Sequence, residues 1–200
     1  MSLNRWRQFY GEDPSLGDVH PSAAAQQAAV AFAESGAQVI LDAGCGAGRD
    51  TFLLAGSGAQ VVGLDEARSG LALARARAAS LPVQPFWVQG DARSLPFTDV
   101  SFGGAYSFGL LHEFVGQSAD RDVAATMAEM LRVLRPGGTA VVAVLAGEPE
   151  EGLPHVRLFS EAMFDAAVAS FDCIEKKAYD DLGCTGRVGY RVWFGRLVKR

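Results

Sequence analysis

Three glycines at alternate positions separate an apolar run from the start of a helix. The segment "LDAGCGAGRD" covers residues 41–50 and contains Gly44, Gly46 and Gly48. The preceding "QVILDA" is typical of a buried strand, and the following "DTFLLAGSG" is typical of a helix start. Because glycine has no Cβ, a glycine-rich turn between a strand and a helix brings backbone close to a ligand. The turn therefore predicts an α/β fold with a ligand site at this point.

Strand and helix patterns alternate along the first 146 residues. The apolar strands are continuous rather than alternating, which indicates burial on both faces of a parallel sheet. We therefore predict an open, doubly wound, mostly parallel seven-stranded sheet of the α/β class, with an antiparallel strand near one edge. The predicted helices cover 21–36, about 49–57, 66–82, 120–138 and 160–172. The predicted strands cover 37–43, 59–65, 83–90, 101–108 and 139–146, with two closing strands over 173–179 and 189–199.

Length and composition limit the kinds of protein that this chain can be. Two hundred residues suit one domain: a covering N-terminal segment and helix (1–36), a ligand-binding core (37–146), and a substrate loop with the last helix and closing strands (147–200). The net charge of -5 argues against a nucleic-acid partner. No apolar run approaches the ~18 residues of a membrane helix. The N-terminal residues contain no secretory signal, so we predict a cytoplasmic protein without a membrane partner.

The cysteines and histidines predict no metal site. Cys45, Cys173 and Cys184 form no CxxC pair, which fits a reducing compartment and argues against structural zinc. The three histidines lie far apart in the sequence. The sequence permits a homodimer but does not require one.

The spacing of the glycines decides between ligand classes. A dinucleotide-binding turn would read G-x-G-x-x-G, but here the third glycine comes one residue early and Arg49 follows it. A phosphate-binding loop would need a Lys-Ser/Thr pair after the glycines, and none is present. The spacing of the turn therefore argues against binding of NAD and against binding of a nucleoside triphosphate.

The G-x-G-x-G spacing resembles the first motif of Rossmann-like, class I S-adenosylmethionine-dependent methyltransferases. Further segments resemble the family in the expected order: "VVGLD", "VQGDARSLPF", "SFGGAYSFGLLHEF" and "MLRVLRPGGTAVVAV". The resemblance covers residues 38 to 198. One departure is Gly103, where the family often has an aspartate. The resemblance implies S-adenosyl-L-methionine as the cofactor.

The resemblance also implies roles for individual residues. Asp65, at the end of the second strand, would hold the ribose hydroxyls. Asp91 would lie near the adenine amino group, and Ala92 would offer its backbone N–H. Asp42 would lie near the methionine amine or cap the turn, and Arg49 would reach the cofactor carboxylate or form a helix-start pair with its neighbour. The cofactor-binding residues implied are Asp42, Gly44, Cys45, Gly46, Gly48, Arg49, Asp65, Glu66, Asp91, Ala92 and Ser107.

Elementary chemistry is consistent with these roles. The glycines let backbone approach the cofactor without a Cβ clash. A carboxylate can accept hydrogen bonds from both hydroxyls of a ribose. The 23 residues from Asp42 to Asp65 span one strand–helix–strand unit, so both acids reach the same edge of the sheet. Cys45 also suits a small buried filler, because nothing beside it favours a reactive thiolate.

The acceptor is predicted to be a small molecule methylated on O, N or S. Little chain remains for a separate substrate domain, and the predicted wall is aromatic: Tyr10, Phe108 and Phe114. His112 is the candidate base that takes the acceptor proton, since an imidazole titrates near neutral pH. The alternative for His112 is a packing role in the wall. The alternative for the protein is a non-catalytic module that binds the cofactor or its product as a partner or sensor.

Overall fold

The computed structural model describes residues 20–148, 155–181 and 189–200. These residues form a seven-stranded sheet in the order β3-β2-β1-β4-β5-β7-β6. The strands are β1 (Val39–Ala43), β2 (Gln60–Asp65), β3 (Phe86–Gln89), β4 (Phe102–Phe108), β5 (Leu134–Leu145), β6 (Asp172–Asp181) and β7 (Tyr190–Val198). The α-helices are α1 (Ala23–Ser35), α2 (Arg49–Gly56), α3 (Arg68–Ala78), α4 (Ala119–Val133) and α5 (Glu161–Val168), and a 3-10 turn covers Leu111–Glu113.

The sheet confirms the predicted fold class. Strands β1 to β5 pair in parallel, and β7 runs antiparallel to both of its neighbours, β5 and β6. The predicted antiparallel strand therefore lies next to one edge. The parallel strands place their carboxyl ends along one edge of the sheet, which is where ligands bind in such folds.

Hydrophobic clusters cover both faces of the sheet, as continuous apolar strands require. On one face, α1 packs through Phe32 against Ile40 and Tyr106. On the other face, α4 and α5 pack through Met130 and Phe164. Because both faces are buried, the sheet holds the ends of its strands in fixed positions.

Two element boundaries differ from the sequence prediction around Pro136. The segment 120–138 predicts a helix that Pro136 stops, but the helix ends earlier, at Val133, and β5 begins at Leu134 instead of residue 139. A residue before proline is pushed out of the helical region, so Arg135 cannot continue the helix. Leu134 is already extended and pairs with Phe102, and the register then shifts before regular pairing resumes.

The third strand is shorter than predicted for a similar reason. It covers Phe86–Gln89 rather than 83–90 and forms the sheet edge beyond β2. Proline lacks the backbone N–H that a central strand needs, so Pro85 marks its start.

Candidate functional site

The turn between β1 and α2 requires glycine for two separate reasons. Gly44, Gly46 and Gly48 have φ values of 82°, 55° and 80°, in the left-handed region. A Cβ on Gly44 would lie 2.8 Å from the Leu110 Cβ, and one on Gly48 would lie 2.7 Å from a Trp87 ring carbon. A side chain at Gly44 or Gly48 would therefore be both strained and in collision with a neighbour, and one at Gly46 would be strained.

Asp65 shapes the same turn from the end of β2. Its carboxylate accepts hydrogen bonds from the backbone N–H of Gly46 at 2.8 Å and of Ala67 at 2.7 Å. The Leu64 carbonyl accepts from Gly44 and Cys45 at 2.8 and 3.0 Å. Burial raises the pKa of Asp65, and the two backbone hydrogen bonds oppose this shift. The end of β2 thus fixes the turn and presents a carboxylate beside it.

Asp42 is a buried carboxylate at the end of β1. Its side chain accepts a hydrogen bond from the Thr51 hydroxyl of α2. Burial disfavours the charged form and raises the pKa of Asp42 to about 7. The structure thus places an acid that titrates near neutrality under the turn. Thr51 is a contact of this acid that sequence reasoning missed.

Arg49 forms an ion pair with Asp50 at the start of α2, which is one of the two roles that the sequence suggested for Arg49. The Arg49 guanidinium donates to both Asp50 oxygens at 2.9 Å, and its central carbon lies 5.3 Å from the Phe108 ring centroid. Asp50 also accepts from Ser22 and from the Tyr106 hydroxyl. Burial raises the pKa of Asp50, but the Arg49 pair and the hydrogen bonds from Ser22 together outweigh it and hold the pKa below its ordinary value.

Asp91 forms an ion pair with Arg93, a residue for which the sequence predicted no role. Arg93 donates to both Asp91 oxygens, with distances of 2.8 to 3.1 Å. The same guanidinium lies 3.7 Å from Glu66 and 5.6 Å from the Phe114 ring centroid. Ala92, next in the chain, is buried. Arg93 therefore joins the predicted adenine side of the site to its predicted acceptor wall.

The end of β4 supplies Ser107 and Phe108. Ser107 is fully buried, and among the described residues its hydroxyl has no hydrogen-bond partner. An orphaned buried hydroxyl is uncommon in folded proteins and calls for a ligand or water. Phe108 is half-buried beneath Arg49. Tyr10 lies outside the described residues.

His112 occupies the 3-10 turn just beyond β4. It is 5% exposed, and its Nδ1 accepts a hydrogen bond from the Leu145 backbone N–H at 3.4 Å. Its ring meets that of Phe108 edge to face, with centroids 6.2 Å apart. Burial and the nearby Arg49 charge lower the pKa of His112 to about 4. The near-neutral pKa expected for an imidazole is therefore wrong for this residue, because its charged form is excluded from water.

Cys45 fits the filler alternative from the sequence. It is buried, and its Sγ would lie 2.9 Å from a Cβ placed on Gly63. Burial raises the pKa of its thiol, which keeps it protonated. The thiol thus packs under the turn, while the Cys45 backbone contributes to its shape.

The described residues offer neither a metal site nor a membrane-spanning helix. Across residues 20–148, 155–181 and 189–200, no group of three or more His, Cys, Asp or Glu side chains could hold a metal ion. Among those same residues, no helix is both long and apolar enough to cross a bilayer.

Comparison with known proteins identifies the family. A family model described as a methyltransferase domain matches residues 40–138, which include the turn, Asp65, Asp91 and His112. The chain belongs to the class I S-adenosylmethionine-dependent methyltransferases. The cofactor of this family, S-adenosyl-L-methionine, is the one that the G-x-G-x-G resemblance implied.

Individual relatives extend the match beyond that domain. The chain is 32% identical over 174 residues to the O-methyltransferase cnsE of Penicillium expansum, covering 83% of this chain and 60% of that protein. It is 41% identical over 106 residues to a 2-phytyl-1,4-naphtoquinone methyltransferase of Thermosynechococcus vestitus, covering 51% and 44%. The chain thus spans about half the length of these curated relatives.

A solved structure supports the fold. The chain resembles one from work on the conversion of a disulfide bond into a thioacetal group during echinomycin biosynthesis, with a TM-score of 0.75 and 22% identity. The match covers 100% of this chain and 93% of that one.

The described residues fit the cofactor of the family. The turn offers backbone that no Cβ obstructs, and Asp65 offers a carboxylate for the ribose. Asp42 offers a buried acid whose ionisation a cationic amine would favour, and Ser107 offers an orphaned hydroxyl. Each group therefore has the chemistry that its implied role needs.

Proposed function

We propose that this protein transfers the methyl group of S-adenosyl-L-methionine to an O, N or S atom of a small-molecule acceptor. The observation that carries the proposal is the glycine turn held by the Asp65 carboxylate. Bound cofactor supplies an electrophilic methyl on a sulfonium. The residues of the chain then contribute binding, orientation and exclusion of water.

The cofactor contacts are proposed residue by residue. Asp65 binds the ribose hydroxyls, and Asp91 with Ala92 binds the adenine edge next to Glu66. Asp42 binds the methionine amine, and Arg49 binds the carboxylate. Support comes from the positions of these groups at or just beyond the ends of the neighbouring strands β1, β2 and β3, and from the burial of Asp42 beside the turn. Asp91 must share its carboxylate with Arg93, which already binds both of its oxygens.

The acceptor is proposed to be a flat, partly apolar molecule carrying a hydroxyl group. Phe108 and Phe114 are half-buried aromatic rings near Arg49 and Arg93, respectively. Such rings pack well against another ring. One relative is named an O-methyltransferase, which favours oxygen as the first atom to test.

His112 is proposed to contact the acceptor. The hydrogen bond from the Leu145 N–H needs an unprotonated Nδ1, so the neutral ring carries its proton on Nε2. A ring in that state donates a hydrogen bond more readily than it accepts a proton. We therefore propose that His112 orients the acceptor oxygen by donating a hydrogen bond to it, in place of the base role that the sequence suggested.

Location and assembly are proposed on sequence grounds. The cysteine pattern supports a cytoplasmic location. The acidic net charge of -5 supports a small-molecule partner rather than a nucleic acid. A homodimer remains a proposal to be checked by sedimentation.

The first experiment is calorimetry with S-adenosylhomocysteine and NAD. We expect S-adenosylhomocysteine to bind and NAD not to bind; tighter binding of NAD would contradict the proposal. Two matched variants locate the site. Gly48→Ala and Gly58→Ala both place a side chain at positive φ, but a Cβ collides with Trp87 only at Gly48. Gly48→Ala should weaken S-adenosylhomocysteine binding, and Gly58→Ala should not.

The second experiment measures turnover. Phenols, quinols, amines and thiols are offered with labelled S-adenosylmethionine, and both methylated product and S-adenosylhomocysteine are quantified. Product formation identifies an enzyme and the atom that it methylates. Tight cofactor binding without turnover across the panel would favour the non-catalytic binding module instead.

A further inference from the structure

The Asp50 carboxylate is the centre of a buried hydrogen-bond network beside the glycine turn. Asp50 is 5% exposed and lies in the first turn of α2. From the part of the chain that the structure describes, its two oxygens accept five hydrogen bonds of 2.8 to 2.9 Å: two from Ser22, one from Tyr106 and two from Arg49. Because a buried carboxylate is tolerated only when it is paired and hydrogen-bonded, this network keeps Asp50 charged.

Three elements hold Asp50 in place. Ser22 is the N-cap of α1 and donates to Asp50 through both its backbone N–H and its hydroxyl. Tyr106 belongs to β4 and is 1% exposed. Asp50 itself belongs to α2. The hydrogen bonds from α1 and β4 therefore hold the Asp50 carboxylate in a fixed position.

Among the described partners of Asp50, Arg49 is the one that lies at the glycine turn. Its two hydrogen bonds to Asp50 are bidentate, the geometry that best fixes a guanidinium plane. The guanidinium also lies over Phe108, 5.3 Å from its centroid. An arginine side chain carries about 2 kcal/mol of rotamer entropy. Much of that freedom is therefore already lost before a ligand arrives.

We propose that Asp50 is a positioning residue, which holds the Arg49 guanidinium in the orientation that binds the carboxylate of the cofactor. This inference rests on the proposed function. The carboxylate is the only anionic group of S-adenosylmethionine, whose amine and sulfonium are cationic, so it is the group that a guanidinium binds. Asp50 acts only through Arg49 and does not touch the cofactor.

The test compares two ligands that differ in the amino-acid part. S-adenosylhomocysteine carries the carboxylate, whereas 5′-methylthioadenosine keeps the adenine, ribose and thioether without it. Calorimetry on Asp50→Asn should show S-adenosylhomocysteine binding about tenfold weaker, in line with the loss of one charge-assisted hydrogen bond. Binding of 5′-methylthioadenosine should stay within about twofold. Tyr106→Phe is the control, because it removes one bond to Asp50 and leaves the Arg49 pair in place.

Variants of Arg49 complete the test. Arg49→Lys keeps the charge without the bidentate pair and should also weaken only S-adenosylhomocysteine. In an Arg49→Gln background, Asp50→Asn should have no further effect on either ligand. Arg49 is partly exposed, so Arg49→Lys remains informative even if Asp50→Asn does not fold.

Several outcomes would overturn the inference. Equal weakening of both ligands by Asp50→Asn would show a general role in the local fold. Tighter binding of S-adenosylhomocysteine would show that the Asp50 charge opposes the ligand carboxylate. Unchanged binding in Arg49→Lys would show that a fixed guanidinium is not needed. If the wild-type protein bound neither ligand, the proposed function would fall, and this inference with it.

Discussion

The Asp65 carboxylate lies 2.8 Å from the backbone nitrogen of Gly46, its hydrogen-bond donor. The residue expected to hold the ribose therefore also holds the turn that would surround the rest of the cofactor. A second hydrogen bond, from Ala67, fixes the orientation of the carboxylate. The shape of the turn and the proposed ribose contact therefore involve the same side chain.

Replacement of Asp65 should affect both binding and stability. Asp65→Ala removes two charge-assisted bonds to the ribose, each of about 1.5–3 kcal/mol, so S-adenosylhomocysteine affinity should fall roughly a hundredfold or more. The unpaired Gly46 and Ala67 N–H groups should also lower the free energy of unfolding by about 1–3 kcal/mol. Calorimetry and urea unfolding measure the two effects. Asp91→Ala should weaken binding less, and unchanged affinity in Asp65→Ala would reject the ribose assignment.

Asp42 should make the unliganded protein less stable as the pH rises. The pKa of Asp42 is about 7 in the native state, against 3.8 for the unperturbed group. Between these values the native state holds a proton that the unfolded state has released, so stability falls as the pH rises through this window. Asp42→Asn keeps an acceptor for the Thr51 hydroxyl and removes the buried charge.

The Asp42→Asn variant should therefore be more stable than the wild type at pH 8, by an amount on the order of 4 kcal/mol. The gain should be clearly smaller at pH 5, where the native wild-type carboxyl is already protonated. Urea unfolding at both pH values, without ligand, checks this. S-adenosylhomocysteine should bind the variant more weakly, because its amine loses a carboxylate partner. An equal gain at both pH values would show that Asp42 does not titrate in this range.

Val100 is a strained residue outside the site. Its φ is 61°, a conformation that β-branched residues rarely adopt, and its side chain is 45% exposed. Asparagine tolerates this conformation, so Val100→Asn should raise the free energy of unfolding by about 1 kcal/mol. Val30→Asn is the control, since Val30 is 59% exposed on α1 and should show no gain. Stabilisation of the same size at Val30 would attribute the effect to polarity instead of backbone strain.

Local patterns were sufficient to predict most of the fold and the turn. The glycine spacing and the ends of β1 and β2 depend on residues that are close in sequence. The placement of Gly44, Gly48 and Asp65 at the ends of these strands could therefore be predicted. The Pro136 boundary was misplaced because the pairing of Leu134 with Phe102 is a long-range contact that helical periodicity does not contain.

The site contacts that were missed join distant segments. Ser22, Asp50 and Tyr106 come from three elements, and only the folded sheet brings them together. Arg93 could have been singled out, because it lies two residues after Asp91 in the same motif. The low pKa of His112 could not have been predicted, because it results from burial by residues in other segments of the chain.

His112 should act as a neutral residue throughout the working pH range. With a pKa of about 4, the His112 ring is uncharged above about pH 5. The plot of turnover rate against pH should therefore show no fall near pH 6.5, the ordinary imidazole pKa, that is present in the wild type and absent from His112→Gln. His112→Ala should lower the free energy of unfolding by about 1–3 kcal/mol, because the Leu145 N–H loses its acceptor.

Turnover separates the remaining roles of His112. If it orients the acceptor by donation, His112→Ala should raise the KM for the acceptor and lower kcat by about tenfold, with S-adenosylhomocysteine affinity unchanged, because one hydrogen bond of roughly 1.4 kcal/mol is lost. Loss of a general base would instead lower kcat by about 10²–10⁴ and abolish an acidic limb of the wild-type pH profile. Turnover within a few-fold of wild type, with KM unchanged, would make His112 a wall residue whose function is to accept the hydrogen bond from Leu145.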